Sequence, residues 1–156
     1  MSFNNLDELY EKLLQDQDYI ANECGKMVGE VLHDESKKIY KEYIPSNPKV
    51  AELRRYTNGG FADKRNIKIF EPIKKGNKCS ITVRNITEAR GKDKPKDLDY
   101  YIEYGIYSGS SQAPARPVYA RTINRIKKEK IIQKAINKAL EDKGWKWLRS
   151  ERNGIF

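Results

Sequence analysis

An α+β fold is predicted for this 156-residue chain: a long N-terminal helix, a small antiparallel β-sheet of three to four strands, and a C-terminal helix packed on that sheet. Three patterns predict it. Apolar residues recur every three or four positions from Asn5 to about Glu42. Apolar and polar residues alternate between Cys79 and Ile86, the period of a strand with one wet face. A second helical pattern opens at Pro117 and closes at Gly144.

In the first segment, Leu6, Leu9, Leu13, Ile20, Cys24, Met27, Val31 and Ile39 fall on one helix face. Asn5 and Glu8 have capping-box spacing, and Pro45 stops the element because a residue preceding proline avoids the α region. At 1.5 Å per residue such a helix runs on the order of 55 Å, against about 40 Å for the diameter of a compact chain of this length. It must therefore protrude or bend, and Gly25 and Gly29 are its weakest points.

Residues 45–65 read as a connection, from Pro45, Ser46, Asn47 and Pro48 to Asn58, Gly59 and Gly60. Strands are expected at Asn66–Glu71, Cys79–Ile86 and Tyr100–Ile106, with Lys75-Gly76-Asn77 turning the first pair into a hairpin. Glu88–Asp99 is almost wholly charged or Gly/Pro and reads as a solvated loop. A second loop, Ser108–Arg116, leads to the last helix. Tyr119, Thr122, Ile123, Ile126, Ile132, Ala135, Ile136 and Ala139 are assigned to its inner side, and residues 145–156 form a tail. One domain spans residues 1–156, since a chain of this length buries roughly two thirds of its unfolded surface around a single core.

Charge narrows the function classes. The net charge of +9 is unevenly placed: residues 1–50 carry 10 acidic and 6 basic groups, and residues 116–156 carry 4 acidic and 12 basic. A basic third opposite an acidic third suits nucleic-acid binding, or the pairing of unlike faces between subunits. No apolar run approaches the ~20 residues of a membrane span, and the N-terminus lacks a signal-peptide pattern, so a soluble, unexported protein with no membrane partner is expected. Cys24 and Cys79 have no CxxC spacing and read as reduced, buried thiols.

The chain offers little for catalysis. His33 is its one histidine and reads as a surface or flanking residue of the first helix. Asn58-Gly59-Gly60 matches no phosphate-cradling motif, and Asp97, Asp99 and Glu103 cluster only within a charge-dense stretch. No catalytic residue, metal site or cofactor is expected. Arg116, Arg121, Arg125, Lys127, Lys128, Lys130, Lys134 and Lys138, with Trp145 and Trp147, form the combination used on single-stranded nucleic acid; the plainer reading is a solvated helix face and packed tryptophans.

Two segments form a signature: Glu52-Leu53-Arg54-Arg55-Tyr56-Thr57-Asn58-Gly59-Gly60-Phe61-Ala62-Asp63, and Ile102-Glu103-Tyr104-Gly105 followed by Ala115-Arg116-Pro117-Val118-Tyr119-Ala120-Arg121-Thr122-Ile123. In this order, behind a long first helix, they resemble the tail-component family of long-tailed bacteriophages, tail-completion or head–tail joining proteins. The resemblance spans nearly the whole chain and implies a non-enzymatic virion protein of the neck, made in the host cytoplasm. It implies a homo-oligomeric ring of six between head connector and tail tube. Partners would be the head connector or stopper, the tail tube or its terminator, and DNA passing through the lumen without sequence-specific binding. A neighbouring role, the terminator ring itself, fits the same signature. The implied contact residues are Arg54, Arg55, Tyr56, Asn58, Gly59, Arg116, Pro117, Tyr119 and Arg121, to which the unmatched tail adds Trp145 and Trp147. Ordinary solvated arginines at the turn and a simple cap at Arg116-Pro117 are the alternatives.

Overall fold

A computed structural model describes residues 5–42, 60–88, 102–104, 106–108, 111–113 and 115–145. The fold is α+β. Helix α1 (Leu6–Glu42) is one continuous element of 37 residues, opened as expected by Asn5, whose Oδ1 accepts from the Glu8 backbone N–H at 2.8 Å. The two flanks of α1 are covered differently, a β-ribbon lying on one and a pair of helices on the other.

The ribbon is a single long hairpin. Its base pairs β1 (Ile67–Ile69) with β4 (Val83–Asn85), and its tip pairs β2 (Ile73–Lys75) with β3 (Lys78–Ser80), both antiparallel. Gly76, at φ +59°, makes the turn where the sequence places it. Between the Ile69–Val83 pair and the Ile73–Ser80 pair the first arm uses Phe70, Glu71 and Pro72, while the second uses only Ile81 and Thr82. The extra residue is a bulge, and Pro72, which has no N–H to give the ladder, lies within it. Phe70 N–H to Thr82 O at 2.9 Å holds the two arms together across the gap.

Helix α1 runs unbroken through Gly25 and Gly29. They form the seat of this ribbon: a Cβ on Gly25 would lie 2.7 Å from Ile81 Cδ1 and 2.8 Å from Ile69 Cγ2, and one on Gly29 would lie 3.5 Å from Ile67 Cγ2. The missing side chains bring strand and helix into close contact.

A third two-stranded unit pairs β5 (Ile106–Ser108) with β6 (Ser111–Ala113). The third strand thus begins where the sequence reading ends it, since residues 102–104 are helical, and part of the expected 108–116 loop is strand.

The C-terminal pattern, read as one helix over 116–144, is two: α2 (Val118–Lys128) and α3 (Ile131–Asp142). Lys130, at φ 52° and ψ 41°, adopts the left-handed conformation and breaks the element. Helical geometry gives the reason. In a continuous helix Ile131 would point about 220° around the axis from Val118. The break resets the phase, so Val118 and Thr122 of α2 and Ile131, Ala135, Ala139 and Leu140 of α3 are all buried. Ile123 and Ile132, assigned to the inner side by the continuous pattern, are exposed. Helix α3 ends as predicted at Gly144, φ +78°: Gly144 N–H reaches Glu141 O at 2.9 Å and Trp145 N–H reaches Leu140 O at 2.9 Å, the paired bonds of a Schellman motif.

Both helices run antiparallel to α1. Arg121 meets Glu42, Arg125 meets Asp34 and Glu35, and Tyr19 of α1 donates to Asp142 at 3.1 Å. The core lies under α2, where Leu32, Ile39, Phe61 and Val118 cluster with Ile67, Val83, Ile102 and Tyr119 around them. Among the described residues no helix is long and apolar enough to cross a membrane.

Candidate functional site

The signature segments meet the rest of the fold at a buried polar junction on this core. Along residues 81–88 the odd positions face inward and the even ones outward, the alternation read from the sequence. At the base of the ribbon, however, the inward positions are Asn85 and Thr87, whereas Ile86 faces solvent. Polar side chains stand inside because backbone carbonyls there need donors. Asn85 Nδ2 donates to Phe61 O at 2.7 Å, and its Oδ1 accepts from Thr87 N–H at 3.0 Å and from the Thr87 hydroxyl at 2.6 Å. Asn66 Nδ2 donates to Gly60 O at 2.8 Å and to Thr87 Oγ1 at 2.9 Å.

His33 completes the junction from α1. It is buried, not on the surface, and its Nε2 lies 3.1 Å from Ala62 O. A carbonyl can only accept, so Nε2 carries the proton and donates. Asp63 accepts from Arg65 N–H at 2.9 Å and from the Arg65 guanidinium at 2.6–3.1 Å. Every residue from Gly60 to Asp63 is thereby anchored: to Asn66 and Thr87, to Asn85, to His33, and to Arg65. No single apolar pattern signals this, because its partners come from three separate stretches of chain.

The second signature segment explains itself at the start of α2. Pro117 is the N-cap and has no side-chain hydrogen bond to offer the first turn. Glu103 supplies the cap from outside the helix. Its two carboxylate oxygens accept from Tyr119 N–H at 2.8 Å and Ala120 N–H at 3.2 Å, where a helix N-terminus favours negative charge. Arg116 N–H bonds Ile102 O at 2.7 Å, and the Tyr119 hydroxyl accepts from Asn85 N–H at 3.2 Å, tying this junction to the first one.

Of the sequence-predicted contact residues, Arg54, Arg55, Tyr56, Asn58, Gly59 and Trp147 lie outside the described residues, as does most of the 88–99 loop. Pro117 caps α2, and Tyr119 sits at the junction. Arg121 pairs with both oxygens of Glu42 at 2.7 and 2.8 Å, and that hydrogen bond holds the Glu42 carboxyl below the usual carboxylate range. Trp145 Nε1 donates to Asp16 Oδ2 at 3.0 Å. Burial pushes the Asp16 carboxyl up, but the bonds from Trp145 and Lys12 more than offset it, and its pKa is lowered.

Part of the charge asymmetry is resolved within the chain, where Arg121 and Arg125 meet acids of α1. The remainder is concentrated. Lys127, Lys128, Lys130, Lys134 and Lys138 are exposed along α2 and α3, and among the described residues no ion pair holds them. The thiols of Cys24, buried, and Cys79, half-buried, are free, and burial raises the Cys24 pKa. Among the described residues no group of His, Cys, Asp and Glu is placed to hold a metal ion.

The YomN family model matches residues 5–142, from the cap of α1 to the last residue of α3. The chain belongs to the YomN family. YomN is a phage-derived family, which points to a phage origin for this chain. No curated protein and no solved structure matches it. The matched range takes in both junctions and both helices of the C-terminal pair, so the family's extent coincides with the packed body.

Proposed function

We propose that this YomN protein is a structural component of a tailed-phage neck, one subunit of a ring that completes the tail or joins it to the head. The observation that carries the reading is what its polar side chains are used for. His33, Asp63, Asn85 and Glu103, the residue types from which catalytic sites are built, each bond a backbone group or a neighbouring side chain within the two junctions. That is how a rigid building block uses such groups. The phage derivation of the family supports the virion setting. The exposed lysines of α2 and α3 supply a face of one sign, complementary to an acidic surface on a neighbouring subunit or ring.

Electron microscopy of lysates from a phage with an early stop codon in this gene tests the proposal. Filled heads and finished tails accumulating unjoined, or tails without a defined upper end, is the expected result. Intact infectious particles would overturn it.

The same lysine row favours a second reading, an accessory protein that binds DNA through phosphate contacts. It predicts affinity that falls steeply with salt and is abolished by K127E/K128E/K130E. The neck reading predicts weak DNA binding and only a partial assembly defect in that variant.

A further inference from the structure

Two described faces of this molecule have the same make-up and opposite charge. The first lies at the start of α1. Trp145 reaches α1 at Asp16, Lys74 at Asp18 and Asp142 at Tyr19. Ahead of these bonds Leu6 is 79% exposed, Tyr10 51% and Leu13 37%, and their spacing puts all three on one stripe. Asp7 and Glu11 on its flank are exposed, and among the described residues no ion pair holds them.

The second face is the outer side of α2 and α3. Around the axis of α2, Ile123 stands about 140° and Lys127 about 180° from buried Val118, so both look away from α1. Ile123 is 50% exposed and Ile132 39%, and Lys127, Lys128 and Lys130 lie between them along the chain, with Lys134 one turn beyond. None of these lysines is used in an ion pair among the described residues.

We propose that the two faces bind each other between copies of this chain, head to tail: Leu6, Tyr10 and Leu13 of one copy against Ile123 and Ile132 of the next, with Asp7 and Glu11 opposite Lys127 and Lys134. This deepens the ring reading above, on which it rests, by assigning the contact that would build the ring.

Charge and reach carry the assignment. Each face joins exposed apolar groups to unpaired charges of one sign, and the signs are complementary. A chain does not satisfy the pair by itself. Arg125, in the middle of the second face, bonds Asp34 and Glu35, and the unbroken helix separates Leu13 from Asp34 by about 32 Å. The stripe therefore meets the lysine face of another copy. Because the two faces differ, each added copy leaves one of each kind free, so growth continues until a ring closes.

Sedimentation velocity of the full chain across about a hundredfold range of concentration at low salt tests this, with the full-length variants D7K/E11K and K127E/K134E. The wild type is expected to sediment faster as concentration rises, past the dimer, and to dissociate as salt screens the contact. Each variant should self-associate at least about tenfold more weakly, since like charges then meet. Mixing the two variants, or placing all four substitutions in one chain, pairs unlike charges again and should restore association, which a fold damaged by either change would not do. A wild type that stays monomeric, one that stops at a symmetric dimer, or variants whose mixture does not recover each overturn the proposal. So does a K127E/K134E chain that associates normally and loses only its hold on duplex DNA, which would give the lysine face to nucleic acid. Wild-type rings that survive both charge reversals overturn this contact and leave the neck reading to the lysate experiment.

Discussion

Replacing Gly25 and, separately, Gly29 by alanine compares one gain with and without an opposing cost. Both residues lie inside α1, where alanine is favoured over glycine by about 1 kcal/mol. At Gly29 the added methyl finds Ile67 Cγ2 at 3.5 Å and Ile69 Cδ1 at 3.7 Å, ordinary van der Waals contact. The gain should survive, raising the melting temperature by about 3 °C for a chain of this size. At Gly25 the same methyl meets Ile81 Cδ1 at 2.7 Å and Ile69 Cγ2 at 2.8 Å. The first is a chain end that can turn away. The second is a branch on Cβ and moves only by a change of its restricted χ1 or a shift of β1. Overpacking of this kind costs about 1–3 kcal/mol, so G25A should be neutral to destabilising by about 2 kcal/mol once the propensity gain is subtracted. Because that gain is common to both variants, the gap between them reads the packing cost directly. Urea unfolding followed by circular dichroism measures it. If G25A proves as stabilising as G29A, the ribbon does not seat on Gly25 and the account of that flank is wrong.

Three other perturbations test the junctions. Asn85→Ala leaves the Phe61 carbonyl and the Thr87 N–H without their buried partner and should cost about 2–4 kcal/mol in thermal unfolding, where a near-neutral result would refute the network's structural role. Glu103→Ala removes the external cap of α2 and should cost about 1 kcal/mol, with Glu103→Gln recovering part of it because an amide oxygen still accepts. Trp145→Phe removes a hydrogen bond to a charged acceptor and should cost about 1.5–3 kcal/mol at neutral pH. Since the Asp16 pKa is lowered in the folded state, its contribution is present above the ordinary aspartate value of about 3.9 and is lost as pH falls through the depressed one. Urea midpoints should therefore separate wild type from W145F at pH 7 and draw together only as pH falls below the ordinary aspartate range, and a constant gap would assign the effect to packing alone.

What was legible in the sequence was local. The Asn5 cap, the helix from there to Glu42, the Gly76 turn, the alternation of Ile81 and Val83 with Thr82 and Arg84 and the Gly144 stop each depend on neighbours a few positions apart, and each stands in the structure. The misses involve distant partners or a change of phase. Asn85 and Thr87 point inward because Phe61 and Gly60, more than 20 positions away, present carbonyls to them. Lys130 interrupts a pattern that periodicity alone reads as unbroken, because a left-handed lysine leaves no compositional mark. His33 resembles any polar residue on a helix flank until the turn at Ala62 is folded against it. Glu103 caps a helix that starts fifteen positions later, a distance at which no capping pattern is looked for. Of the signature's second half, Pro117, Tyr119 and Arg121 have internal partners or positions that account for them, whereas the Arg54–Gly59 stretch lies outside the described residues.

The bulge in the hairpin bears on how this protein survives being made in quantity. A two-stranded ribbon has two open edges, and long, flat, apolar edges recruit other chains into fibrils. Here each ladder is only three residues long, Pro72 removes a donor from the middle of one arm, and Lys68, Lys74, Lys75 and Lys78 line the strands. Each device shortens or repels an edge-to-edge match. A chain whose ribbon edges are broken in this way stays deaf to its own copies there, whatever other surface it meets.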